Sequence, residues 1–215
     1  MFHPAMDALL THLGVTLRCD GETLIERAFD ALDKIGQGGT ATVFAHPTAP
    51  DLVVRVTDYP DGWFAYADRA RAMDVPSPHA PVVHDIVHAD GVWIAVAERL
   101  EECRDDIGET LLLNLARRVV ADVTAGCENA NDVAAMEREQ PGFMDCVNEL
   151  LFGAQDLAYE NFMRRGETLV VNDPVRAMTP AEEKILAARF DIMRRAPASD
   201  RIQAAPRDVD FNLAM

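Results

Sequence analysis

Asp156, Asn161 and Asp173 carry side-chain oxygens of the kind that hold a hard cation beside a phosphate. Asp156 and Asn161 stand five residues apart in DLAYEN, and Asp173 follows in NDPV, 172–175. Between them, Phe162-Met163 and Leu169-Val170-Val171 are short apolar runs separated by Arg164-Arg165-Gly166-Glu167. That is a hairpin signal, with a glycine available for positive φ. The hairpin brings Asn161 and Asp173 together at its two open ends. Mg²⁺ prefers oxygen and takes only one or two protein carboxylates, with phosphates and water completing its shell. Asp and Asn are also ordinary turn formers, so the upstream chain has to decide the chemistry.

Upstream, IGQGGTATVFAHP, 35–47, sets Gly36, Gly38 and Gly39 among apolar residues, and Thr42-Val43-Phe44 reads as the returning strand. A glycine-rich hairpin lets backbone N–H groups approach a polyphosphate without Cβ obstruction. An ordinary flexible hairpin fits the same residues. No Gly-Lys-Ser/Thr follows, which excludes a Walker loop, and the strand pattern after the glycines speaks against a dinucleotide fingerprint. DLVVRVTD, 51–58, alternates as a strand, with Leu52, Val54 and Val56 on one face and Val53, Arg55 and Thr57 on the other. Arg55 is a lone cation there, and if buried it needs an anionic partner. Asp61 and Asp68 are both within reach, and helical phase does not choose between them.

These residues need elements to position them. Helices are expected over 5–13, 22–33, 62–73, 111–123, 143–155 and about 180–195, with a polar acidic segment joining 111–123 to 143–155. Strands at 82–88 and 92–100 flank Asp90-Gly91, a strong hairpin signal. His79, His84 and His88 fall on strand and loop without a helical ligand face, and no metal site is expected from them. The fold class is therefore α+β. A strand-rich lobe, 34–100, follows an N-terminal helical segment, 1–33, and precedes a helix-rich lobe, 101–215. A cleft at the junction collects the glycine hairpin, Arg55, Asp156, Asn161 and Asp173.

The 215 residues are 49% apolar, which is ample for a core. A formal charge of −16 makes a general nucleic-acid or membrane binder an unfavourable reading and basic proteins easier partners. Positive charge is carried by 18 arginines against two lysines, Lys34 and Lys184. Cys19, Cys103, Cys127 and Cys146 form no CxxC pair and read as free thiols of a reducing cytoplasm. No apolar run approaches the ~18 residues of a membrane span. The N-terminus lacks a basic stretch and a clear signal peptide, so a cytoplasmic location is expected.

In this order of parts the chain resembles the protein-kinase superfamily. GQGGTATVF, 36–44, is similar to its glycine-rich loop, with Ala41 where the third glycine usually sits. VVRV resembles the strand whose lysine holds the α- and β-phosphates, with Arg55 in that lysine's place. AERL, 97–100, resembles the hinge, DLAYEN the catalytic loop, and NDPV the metal-binding Asp-Phe-Gly. The strand-turn-strand VFAHPTAPDLVVRV, the ending AERLEEC and NDPVR resemble more closely the early serine/threonine kinases of T7-like bacteriophages.

The resemblance implies a compact two-lobe fold with a reduced helical C-lobe, using ATP and Mg²⁺. It implies Asp156 as the catalytic acid–base and Asn161 and Asp173 as metal ligands. Gly36, Gln37, Gly38, Gly39, Thr40, Val43 and Arg55 would surround the nucleotide, and the backbone of Glu98 and Leu100 would meet adenine. The implied partners are host proteins, including transcription and RNA-processing proteins. Ala154-Gln155 stand where His-Arg usually precedes the loop Asp, and no residue clearly matches the helix glutamate that pairs the strand lysine. Two other readings stay open: a pseudokinase that docks a host protein, and a small-molecule phosphotransferase.

Overall fold

The computed structural model describes residues 2–15, 19–151, 156–175 and 177–192. The chain opens with helices α1 (Pro4–His12) and α2 (Gly21–Ala31). Pro4 at the first turn and Asp20, which accepts from the Thr23 N–H at 2.7 Å, start them. Strands β1 (Lys34–Gln37), β2 (Thr42–Ala45) and β3 (Leu52–Thr57) follow, then helix α3 (Gly62–Ala72) and strands β4 (Val83–Ala89) and β5 (Val92–Glu98). They form one antiparallel sheet in the order β1-β2-β3-β5-β4. The expected Asp90-Gly91 turn is present, with φ of 46° and 87° at the two residues.

Alternation in β3 and β5 gives the sheet two buried faces. Val54, Val56, Ile94 and Val96 meet Met6, Leu9, Leu24 and Ala28 of α1 and α2 on one side. Helices α1 and α2 thus close the outer face of the strand-rich lobe. On the other side, Trp93, Ala95 and Ala97 meet Trp63 and Phe64 of α3.

The second lobe starts at the short strand β6 (Glu101–Glu102) and continues through α4 (Ile107–Ala125), α5 (Ala130–Glu139) and α6 (Phe143–Leu150). The hairpin β7 (Phe162–Arg165) and β8 (Thr168–Val171) comes next, then α7 (Pro180–Phe190). Asp106 caps α4, accepting from the Glu109 N–H at 2.8 Å, and Gly126 ends it in the left-handed region. Leu113, Val119, Met136, Phe143, Phe162 and Leu169 lie in the core of this lobe. The two-lobe α+β architecture read from the sequence is therefore the one observed.

Three details differ from the sequence reading. Helix α5 occupies the stretch read as a polar connector. Met136 is its one fully covered apolar residue, too sparse a signal for a helical period. Helix α6 ends at Leu150, and the rest of the expected 143–155 helix, with Ala154 and Gln155, lies outside the described residues. Helix α7, grouped by sequence with the helical half, packs on α3 and β4, because Leu186 and Phe190, one turn apart, enter the Trp63–Trp93 core.

The hinge does not join the lobes alone. β6 pairs with β7, placing Glu101 opposite Arg164 and Glu102 opposite Met163. Consecutive strand residues point to opposite faces, so the two arginines of β7 diverge. Arg165 reaches the Glu98 carboxylate and donates to the Pro78 and Ala80 carbonyls at 2.7 and 3.0 Å. Arg164 forms a buried ion pair with Glu109 of α4. Removing one member strands the other charge without solvent. Arg164→Met should therefore cost about 3–5 kcal/mol in urea denaturation, and adding Glu109→Leu should restore most of it.

Candidate active site

The hairpin does what its turn chemistry predicts. Gly166 turns it with φ of 60°, and Arg165 pairs with Thr168. At its open end the Asn161 carbonyl accepts from the N–H groups of Asn172 and Asp173, at 2.8 and 3.2 Å. The Asn161 amide nitrogen donates to the Asp156 carbonyl at 2.9 Å, which leaves its side-chain oxygen as the ligating atom. The Asp156 N–H donates to the Pro174 carbonyl at 2.8 Å. Asp156, Asn161 and Asp173 are thereby tied together through backbone, whatever their side chains bind.

Arg55 faces this cluster from the other lobe. It sits in the middle of β3, between Val43 of β2 and Ala95 of β5, and is 9% exposed. One guanidinium nitrogen, Nη2, donates to Asp61 at 2.5 Å and to Asp173 at 2.7 Å. The Trp63 ring covers the guanidinium, with 4.9 Å between its centroid and Cζ. The partner that the sequence left open is thus Asp61, while Asp68 pairs with Arg189 at 2.6 Å. Asp61 is the N-cap of α3: one oxygen accepts from the Trp63 N–H at 3.0 Å, and the other takes Arg55 and the Thr40 hydroxyl, the latter at 3.2 Å. Both acids are thus held by one nitrogen of the guanidinium, whose charge does not titrate away.

Burial pushes the Asp173 carboxyl up to about 6 against the pull of Arg55, and the neighbouring Asp61 and Asp156 add to the rise. Two carboxylates share one cation with a third close by, so the cluster holds an excess of negative charge. That fits a divalent cation with hard oxygen donors. Asp173 and the Asn161 oxygen would hold it. Among the described residues no three His, Cys, Asp or Glu side chains form a ready-made cage. Mg²⁺ does not require one.

Two adjoining cavities lie under the glycine hairpin, both lined by Val43 and Arg55. The inner one, about 540 Å³, runs from Gly36, Val53 and Ala97 along Glu98 and Leu100 to Met163 and Asn172. The outer one, about 440 Å³, is lined by Gln37, Gly38, Gly39, Thr40, Asp61, Asp156, Glu160, Asn161 and Asp173. Each residue that the resemblance implies at the catalytic, metal or nucleotide site lines one or the other. The Glu98 N–H already donates to the Val82 carbonyl at 2.9 Å, so only its carbonyl could meet a base.

No protein-family model matches this chain, and no curated protein matches its sequence. Several solved structures align with it at low similarity. The aminoglycoside phosphotransferase APH(4)-Ia is 21% identical over 47% of this chain and 36% of its own, with a TM-score of 0.31. A thermostable mutant of that enzyme in its apo form is 15% identical over 84% of each chain, with a TM-score of 0.38. A double mutant of the PknI kinase domain from Mycobacterium tuberculosis is 16% identical over 70% of this chain and 62% of its own, with a TM-score of 0.41. This chain spans only about a third of the first of these. At such distances the likeness carries nothing about activity, which rests on the cleft itself.

Sequence reasoning missed the residues that hold the cleft in shape. Tyr66 of α3 is buried and donates to the Val171 carbonyl at 2.6 Å, tying α3 to the end of β8. The ring nitrogens of His79 lie 2.7 and 2.9 Å from the Leu169 and Pro141 carbonyls, so this histidine staples the α3–β4 linker to the helical lobe. Only tertiary contact marks either residue.

The glycines separate into two kinds. A Cβ on Gly62 would lie 2.6 Å from the Val175 carbonyl and 2.8 Å from the Ala177 nitrogen, where α3 presses on the chain just past Asp173. A Cβ on Gly36 or Gly38 would meet nothing closer than 3.8 Å, and one on Gly39 nothing within 4 Å; none of the three has positive φ. The fold needs a glycine at 62, whereas packing requires none at 36, 38 or 39. Gly62→Ala should lower stability by about 1–3 kcal/mol in thermal or urea denaturation. Gly38→Ala with Gly39→Ala should leave stability within about 0.5 kcal/mol and weaken nucleotide binding about tenfold in titration calorimetry.

Proposed function

We propose that this chain is an ATP- and Mg²⁺-dependent serine/threonine protein kinase, phage-encoded and acting on host proteins in the host cytoplasm. The observation that carries the reading is the meeting of Asp156, Asn161, Asp173 and Arg55 in one cleft beneath the glycine hairpin. The phage origin, and transcription or RNA-processing proteins as targets, rest on the motif resemblance.

In this reading adenine enters the inner cavity along Glu98 and Leu100, and the phosphates extend toward Arg55 and the hairpin. Arg55 reaches both cavities, so it can hold phosphate oxygens while Asp61 keeps it in place. Asp156 orients the acceptor hydroxyl and takes its proton as the new oxygen–phosphorus bond forms and the bond to the departing ADP oxygen breaks. Asn161 and Asp173 would hold Mg²⁺, which neutralises charge on the phosphates when bound. Positioning and charge neutralisation then supply most of the catalysis.

A specific observation keeps the pseudokinase as the second reading. Asp173, the proposed metal ligand, is engaged by Arg55, and a cation must compete for it. Incubation with γ-labelled ATP, Mg²⁺ and bacterial lysate separates the two. Asp156→Ala should keep nucleotide binding in thermal shift and lower labelling of protein about 10²–10⁴-fold. Binding without labelling in the unmutated protein would select the pseudokinase. Label on an aminoglycoside but on no protein would select a small-molecule phosphotransferase.

A further inference from the structure

Trp63 belongs to two neighbourhoods at once. It is 2% exposed and packs with Trp93, Ala95, Ala97 and Val53 on the inner face of the sheet. Val53, Ala97 and Trp63 together line the inner cavity. The same ring lies over the Arg55 guanidinium, which lines the inner and the outer cavity alike. One side chain therefore joins the apolar wall open to a base to the cation open to phosphate.

The five N–H donors of a guanidinium all point outward in its plane. A ring over the face uses none of them and fixes the plane in which they lie. Both acids sit on Nη2, and the buried Nε has no acceptor among the described residues. Arg55 is thus held by one arm and one face, and the rest of its fork is uncommitted. The indole N–H of Trp63 is also buried without an acceptor. Trp93 shares that condition, but its ring packs on Phe64 and His88 and lines neither cavity. An indole beside Arg55 is therefore explained by its face and not by its N–H.

Asp61 and Asp173 act against this arrangement. A fork free to turn would offer them two arms instead of one, in the bidentate geometry that carboxylates favour. The cation would then close on the protein's own acids. We propose that Trp63 is a positioning residue, whose ring sets the plane of the Arg55 guanidinium and keeps the arm that bears no acid available to the phosphates of a nucleotide. The proposal rests on the nucleotide-binding part of the kinase reading and deepens it at Arg55. It separates two ligands. Adenosine meets the apolar wall alone, whereas ATP needs the oriented cation as well.

Titration calorimetry of the full chain with adenosine, and with ATP and Mg²⁺, tests the split. Trp63→Met fills the space with a flexible apolar chain that has no π face. It should weaken ATP binding about tenfold and leave adenosine within about twofold. Trp63→Phe keeps a ring and should recover most of the ATP affinity. Equal losses for the two ligands would make Trp63 a wall residue only and overturn the role. Unchanged ATP affinity in Trp63→Met, or a Trp63→Phe protein as weak as Trp63→Met, would overturn it too. The unmutated protein gives a second measurement, independent of how the variants fold. In NMR spectra the Arg55 Nε–H signal should be displaced by the ring current of Trp63, and it should move with ADP but not with adenosine. A signal at the ordinary arginine position, or one that bound ADP leaves in place, would overturn the proposal. ATP binding without labelling of protein removes the kinase reading and leaves this role standing. No binding of ATP by the unmutated protein removes both.

Discussion

A guanidinium in the space between two lobes has to be neutralised where it stands, and Arg55 is neutralised from both sides. Asp61 reaches it from the start of α3, and Asp173 from the exit of a hairpin 118 residues further along the chain. Buried ion pairs contribute little net stability, because desolvation offsets attraction. What this triad fixes is position. It ties β3, the N-cap of α3 and the segment after β8 to one nitrogen atom. The close approach of Gly62 to Val175, and the bridge of Asp61 to Ala177, are the backbone counterpart of the same junction. Shifting any one of the three elements would leave a charge buried without its partner.

The other interlobe contacts surround that junction. Arg165 holds the hinge at Glu98 and the linker at Pro78 and Ala80, His79 holds the linker to β8, and Tyr66 holds α3 to the end of β8. All of them converge on the β7–β8 hairpin, which carries Asn161 at its entrance and Asp173 just past its exit. The hairpin is thus the rigid part of the cleft. The glycine hairpin above it is restrained by its own strands and at Thr40, whose carbonyl accepts from the Thr57 hydroxyl at 2.5 Å and whose own hydroxyl donates to Asp61 at 3.2 Å. A rigid floor under a lightly held roof suits a site that must admit a ligand and then close over it.

Much of this was legible in the sequence where local chemistry is decisive. The Gly166 and Asp90-Gly91 turns, the alternation of β3 and the β7–β8 apolar runs determine which residues come together, so the meeting of Asn161 with Asp173 could be read directly. The partner of Arg55 could not, because Asp61 and Asp68 lie on either side of a helix start. The choice falls to Asp61 through its capping geometry, which spacing does not encode. Helix α5 was invisible because a single buried methionine carries its inner face. Arg164 and Arg165 read as turn residues because the glycine beside them dominates the signal, yet both are strand residues with buried partners. Such long-range pairing leaves no local trace.

Charge distribution gives the last constraint. The two cavities under the glycine hairpin are lined by Arg55 and Arg99 as cations, against Asp61, Glu98, Glu101, Glu102, Asp156, Glu160 and Asp173. Arg55 is already shared between two carboxylates. A polyphosphate would enter a space whose field opposes it, within a chain that carries −16 overall. Burial raises the Asp173 carboxyl first, and the neighbouring Asp61 and Asp156 add to that rise. In the proposed kinase reading, such a cleft would admit a nucleotide only together with added positive charge, and oxygen donors with no imidazole or thiolate among them would favour a hard divalent cation for that purpose. Cation and nucleotide should therefore bind as one unit, each supplying the charge that the other needs in order to enter.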